Sequence, residues 1–112
     1  MTTAMFVASD GGYRIRIFGH ANYNPGGPDI VCSACSALTC TLLQAVLSME
    51  AAGELHDMKY EVDDGDFCLD ARPNNWAELK FNIILRTIID GFALLPQKYP
   101  ENVVITTKSG EK

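Results

Sequence analysis

The chain lacks the features that would point to nucleic acid, a membrane or a disulfide framework. Nine lysines and arginines against fourteen acidic residues leave a net charge of −5, which disfavours a polyphosphate partner. No stretch reaches the ~18–20 uninterrupted apolar residues of a membrane span. The first ten residues carry no basic n-region and no apolar h-region, so no secretory signal is expected. There is one tryptophan, and there is no repeat, low-complexity run or linker. The expected compartment is the cytoplasm, where Cys32, Cys35, Cys40 and Cys68 stay reduced. Packing, metal binding or catalysis then suits these thiols better than cross-linking. With 112 residues, 47% of them hydrophobic, a single domain over 1–112 with an ordinary core is expected.

The acidic residues that are present are gathered. Eight of the fourteen lie between Glu50 and Asp70, where Lys59 is the only lysine or arginine. Such a surface suits a basic partner, and it serves equally as a solubilising face.

Hydrophobic periodicity divides the chain into short elements. Residues 5–8 read as a strand, Ser9-Asp10-Gly11-Gly12 as a turn and residues 13–18 as the returning strand, where Tyr13, Ile15 and Ile17 alternate with Arg14 and Arg16. Residues 21–28 hold two glycines and two prolines, the composition of a loop. Asp29 stands at an N-cap position before an apolar run from 30 to about 49, closed by Gly53. Its stripe is Val31, Cys35, Leu38, Leu42, Ala45 and Met49, and a helix so apolar is expected to be covered by a sheet and by a second subunit. Residues 58–63 and 66–71 form a hairpin about Asp64-Gly65. That register opposes Val62 to Phe67, Tyr60 to Leu69, Met58 to Ala71, Lys59 to Asp70 and Glu61 to Cys68.

A second helix, from about Trp76 to Leu95, carries Phe81, Ile84, Leu85, Ile88, Phe92 and Leu95 to the core. Glu78, Asn82, Arg86 and Asp90 fall on its watered face. A short last strand is expected at 103–106. The fold class is α+β: a two-layer β-β-α-β-β-α order, with an antiparallel or mixed sheet and both helices on one face. The other face should be polar or buried in a dimer.

The chemistry gathers where the first helix begins. Cys32 falls in the first helical turn, where backbone N–H groups lack partners and the macrodipole favours a thiolate. The same N–H groups are candidate donors to an oxyanion. His20, at the end of the second strand, is twelve positions away across the loop, placed to act as general base and acid. Spacing alone, however, favours a plainer assignment, with Cys32 a small packed residue and His20 a strand-ending hydrogen bonder. Ser36 lies one turn beyond Cys32, either as a partner for the site or bonded back to the Cys32 carbonyl. Asp29 is either the cap or the group that orients His20.

Three other readings attach to the thiols and acids. Cys32-Ser33-Ala34-Cys35 at a helix start has the form of a redox dithiol, but Cys35 belongs to the apolar stripe and no βαβ unit precedes it. Zinc would need a second ligand pair, which Cys40, Cys68 and His56 do not supply. Cys40 and Cys68 are therefore expected to be packing residues. Asp63-Asp64-Gly65-Asp66 lacks the alternate spacing of a calcium loop and reads as turn chemistry. No metal or cofactor is expected.

Gly19-His20-Ala21, a short loop, Asp29-Ile30-Val31-Cys32 and then Ser36-Ala37-Leu38 together resemble the signature of the bacterial ribosomal-processing cysteine proteases, the Prp family. Length and element order agree more loosely over the whole chain. The resemblance implies a catalytic dyad of His20 and Cys32, with Gly19, Asp29 and Ser36 as supporting motif positions. It implies a small homodimer that removes a short N-terminal extension from large-subunit ribosomal protein twenty-seven, with no direct contact to nucleic acid or membrane. The chain departs from the family pattern at Ser33 and Cys35, where alanine and an aliphatic residue are usual, and a thiol at Cys35 is able to cross-link with Cys32 on oxidation. Residues 22–28 belong to the variable part, with an expected role in gating the site. A dithiol–disulfide oxidoreductase using Cys32 and Cys35 and a non-catalytic ribosome-associated module remain as alternatives.

Overall fold

The period-2 segments all form strands, and the sheet they build is mixed. The computed structural model describes residues 1–24 and 26–109; Pro25, in the turn-rich loop, lies outside the described residues. In chain order the elements are β1 (Thr2–Ser9), β2 (Gly12–Phe18), α1 (Ile30–Ala51), β3 (Leu55–Asp63), β4 (Asp66–Pro73), a 3-10 turn (Asn75–Ala77), α2 (Glu78–Lys98) and β5 (Val103–Ser109). The strand order is β3-β4-β2-β1-β5. Neighbours are antiparallel except β5, which runs parallel to β1. Both β1 and β5 are longer than the apolar alternation suggested, because they complete each other: Thr2 opposes Val103 and Ala8 opposes Ser109.

One face of the sheet carries the core. Ala4, Phe6, Tyr13, Ile15, Ile17, Phe67, Leu69 and Ala71 are buried there against Val31, Leu42, Val46 and Met49 of α1 and Phe81, Leu85, Ile88 and Phe92 of α2. The other face is polar, as expected, and is laced by Arg14–Asp70 at 2.7 Å and Arg16–Asp66 at 3.2 Å. The hairpin register is the expected one, with Lys59 opposite Asp70; the Asp70 carboxylate nevertheless pairs with Arg14 on its other neighbour, β2. Tyr60 and Val62, expected on the core face, are 44% and 59% exposed. They sit on the edge strand β3, where Val62 borders the cleft beside α1.

The helices correct three expectations. In α1 the buried stripe is Val31, Cys35, Leu42, Val46 and Met49. Val46 replaces Ala45 because a straight helix drifts relative to a fixed heptad. By length and composition α1 is apolar enough to cross a bilayer, with a mean hydropathy of 1.9, although Ser, Thr and Gln interrupt the run. In this fold it is instead a helix of the α layer, packed by that stripe onto the core. Its C-terminus closes as a Schellman motif, with Gly53 N–H donating to the Glu50 carbonyl at 3.0 Å and Glu54 N–H to Met49 at 2.9 Å.

In α2 the helix runs past Leu95 through Pro96 to Lys98. Glu78 and Asn82 are not on a watered face. They flank the phenol of Tyr13, which donates to Glu78 at 3.1 Å and accepts from Asn82 at 2.9 Å. Burial, then the Glu78 carboxylate, pushes the Tyr13 hydroxyl up to about 12.

Candidate active site

The sheet order brings two chain segments to the start of α1. Strand β4 lies between β3 and β2, with Asp66 opposite Phe18. The β3–β4 turn therefore ends beside Gly19 and His20. Gly19 N–H donates to the Gly65 carbonyl at 2.9 Å, joining the strand end to the turn. Gly19 itself has φ +91, and a Cβ there would run into the Met1 carbonyl oxygen. Only glycine fits that position.

These segments and α1 enclose a cleft of about 220 Å³. Four of the five expected site residues line it: Gly19, His20, Cys32 and Ser36. Thr2, Thr39 and Leu43 add to the floor, and Asp63, Asp64, Gly65 and Asp66 form the facing rim. Cys32 is half-buried while His20 and Ser36 are exposed, so an imidazole, a thiol and a hydroxyl line one cleft that is open to solvent. Ser36 does not bond back to Cys32 among the described residues, whereas Thr39, Thr41 and Ser48 do return to the carbonyls of Cys35, Ala37 and Gln44. Its hydroxyl is thus left to the cleft.

The fifth residue, Asp29, is a cap and stands outside the cleft lining. Its carboxylate accepts from Cys32 N–H at 2.9 Å, from Tyr23 N–H at 2.9 Å and from Asn24 N–H at 3.3 Å. Those bonds, the Cys32 one first, hold its carboxyl below the usual carboxylate range. One alternative is decided here and one expectation changes. The bonding of Asp29 is to backbone amides, which gives it the cap role and not that of orienting His20. The helix start also offers one free donor fewer than an uncapped one, since Cys32 N–H goes to the side chain of Asp29, while Ser33 N–H makes the ordinary first helical bond to the Asp29 carbonyl, at 3.0 Å. An oxyanion cannot use either without displacing it.

The loop after His20 is bound down at both ends. Ala21 is 1% exposed, and its carbonyl accepts from Asn102 Nδ2 at 2.8 Å. Tyr23 stacks edge-on against Tyr99, with centroids 5.1 Å apart. Asn24 Nδ2 donates to the Pro28 carbonyl at 2.9 Å. Among the described residues, 21–28 do not line the cleft. Sequence reasoning missed Asn102, Tyr99 and the acidic turn. The first two carry no local signal, and the turn's contribution depends on β4 pairing with β2, which periodicity cannot specify.

The thiols differ in setting. Cys35 is buried beside Cys32, and burial first, then the Cys32 charge, pushes it up to about 11 against the opposing Thr2 hydroxyl. Cys40 is exposed at the cleft, which corrects its expected packing role. Cys68 lies on the polar sheet face opposite Glu61 and Arg16, where it was expected. All four are free thiols. Among the described residues, no three His, Cys, Asp or Glu side chains gather as metal ligands.

A family model described as cysteine protease Prp matches residues 1–104. The ribosomal processing cysteine proteases Prp of two Staphylococcus aureus strains are 28% identical over 90 residues, spanning 80% of this chain and 81% of theirs. The crystal structure of the Staphylococcus aureus protease Prp with a covalently linked product peptide is similar with a TM-score of 0.72 and 25% identity, over 96% of this chain and all of that one (100%). A Streptococcus mutans protein shares the fold, with a TM-score of 0.70 at 23% identity, over 98% of this chain and 96% of its own.

Proposed function

The chain belongs to the cysteine protease Prp family and is a cysteine protease, and on that premise we propose that Cys32 and His20 form its catalytic dyad and that its substrate is the N-terminal extension of a large-subunit ribosomal protein, protein twenty-seven. The observation that carries the proposal is the shared cleft: a half-buried thiol in the first turn of α1 and an imidazole at the end of β2 line the same walls. The Cys32 thiolate attacks the scissile carbonyl carbon, and the His20 imidazolium gives its proton to the leaving amine as the C–N bond breaks. Water, deprotonated by His20, then hydrolyses the thioester. Asp29 supports the site by fixing the amide of Cys32, and Ser36 by offering its hydroxyl to the cleft.

A basic ribosomal protein suits the rim, where Asp63 and Asp64 stand exposed. The proposal includes a cytoplasmic enzyme with its four thiols free, acting as a homodimer. Trp76, Leu79 and Ile83 support the dimer, because they are 69%, 71% and 57% exposed along one side of the α2 segment. The dithiol alternative uses Cys35 as the second thiol of the pair, and cleavage by Cys35→Ala tells it apart from the dyad.

The test is mass-spectrometric cleavage of a peptide carrying the extension by wild type, Cys32→Ala and His20→Ala, with circular dichroism as the fold control. Both variants should lose cleavage by about 10³-fold or more. Full activity in either one sinks the dyad.

A further inference from the structure

The His20 ring is exposed, yet it rests on something. A Cβ built on Gly65 would lie 2.7 Å from His20 Nε2, 3.1 Å from Cε1 and 3.4 Å from Cδ2. All three atoms belong to the imidazole, so one side of the ring packs on the bare Cα of the β3–β4 turn. The same residue accepts the hydrogen bond from Gly19 N–H at 2.9 Å, one position before His20. Gly65 therefore meets the histidine segment twice, once through its carbonyl and once through the space where a side chain would stand.

We infer that Gly65 is a positioning residue for catalysis, whose missing side chain seats the His20 imidazole over the cleft that Cys32 lines; this rests on reading His20 as the base. Two demands fall on Gly65 and they separate. Its φ of +73 suits a turn, and asparagine is among the side chains that adopt that region most readily. The three heavy atoms nearest to such a Cβ all belong to the His20 ring, so a side chain here meets the imidazole first. A side chain here would not break the core, because an exposed imidazole can swing aside. It would move the base off the cleft, and a displacement of about 1 Å costs up to about 10²-fold in rate.

Gly53 supplies the matched control. Its φ is +74, and a Cβ there meets nothing within 4 Å. The experiment compares Gly65→Asn with Gly53→Asn for thermal midpoint, for kcat and KM on the extension peptide, and for the rate at which iodoacetamide alkylates Cys32 at neutral pH. Both should fold with similar midpoints. Gly65→Asn should lose about tenfold or more in kcat with KM changed by less than about threefold, while Gly53→Asn keeps the wild-type values. The slower alkylation expected in Gly65→Asn should vanish when the same change is made in a His20→Ala background, since the two act through one group. Wild-type kcat in Gly65→Asn, or an alkylation effect that persists without His20, overturns the inference. If His20→Ala itself cleaves normally the dyad fails first, whereas an inactive His20→Ala beside a fully active Gly65→Asn overturns only the role of Gly65.

Discussion

Asn102 links the last strand to the residue after the proposed base, and its removal should be felt in both stability and rate. Its Nδ2 donates to the carbonyl of Ala21 at 2.8 Å, across 81 positions of chain. Ala21 is 1% exposed, so water does not freely replace the donor. A neutral hydrogen bond contributes about 1 kcal/mol net, and a buried carbonyl left alone costs about 1–3 kcal/mol. Asn102→Ala should therefore cost about 1–2 kcal/mol. At about 2.1 cal/mol/K of unfolding entropy per residue, each kcal/mol moves the midpoint of a chain this long by about 4 °C, giving a fall of about 4–8 °C. Asn102→Asp should be worse than Asn102→Ala, because its carboxylate turns an acceptor toward an acceptor. Far-UV circular dichroism melts measure both, and cleavage of the extension peptide should show kcat falling in the same order. An Asn102→Asp variant as stable as wild type refutes the reasoning, because the donor direction would then be irrelevant.

Alkaline pH provides a second check: Cys35 is raised from its ordinary 9.0 to about 11 and Tyr13 from 10.0 to about 12 by burial. Each raised acid contributes stability that is full below its unfolded value and lost as pH rises through its folded value, so urea midpoints should fall from about pH 9 upward and Cys35→Val should flatten the first part of that fall. Cys35→Ala should retain cleavage, and its loss would favour a dithiol mechanism. Leu79→Glu, on the exposed side of α2, should convert a dimer to a monomer in light scattering with its melt little changed, and a monomeric wild type removes the dimer. Asp29→Asn keeps a good N-cap while removing a negative charge beside Cys32, so Cys32 should alkylate faster at neutral pH; slower alkylation would mean that the carboxylate helps the thiol.

Much of this was legible because local patterns carried it. Alternation located β2, the Asp64-Gly65 pair located the hairpin and its register, and Asp29 before an apolar run located the start of α1. Those features depend on a few adjacent residues and elementary backbone chemistry. Local pattern placed His20 at a strand end and Cys32 in a first helical turn, but only the resemblance of the surrounding motif singled them out as a dyad. What escaped depends on strand order. That β4 pairs with β2 sets Gly65 against His20, and that β5 pairs with β1 brings Asn102 to Ala21. Neither pairing leaves a mark on the composition of the strands involved. The exposure of Tyr60 and Val62 has the same origin, since an apolar side chain on an edge strand reads like one at the centre.

That dependence on strand order bears on how the thiol is activated. A helix start normally favours a thiolate through its free N–H groups and dipole. Here Asp29 already occupies the Cys32 amide and places a negative charge at the same end of α1. A second negative charge at Cys32 is opposed by the first unless a cation stands nearby. The helix cannot therefore supply the activation alone, and on the proposed mechanism the cation is the His20 imidazolium. His20 is itself exposed, held by the Gly19 peptide bonded to Gly65 and by the bare face of Gly65. On that mechanism the chemistry of the cysteine rests on the pairing of β2 with β4 as well as on the helix that carries it.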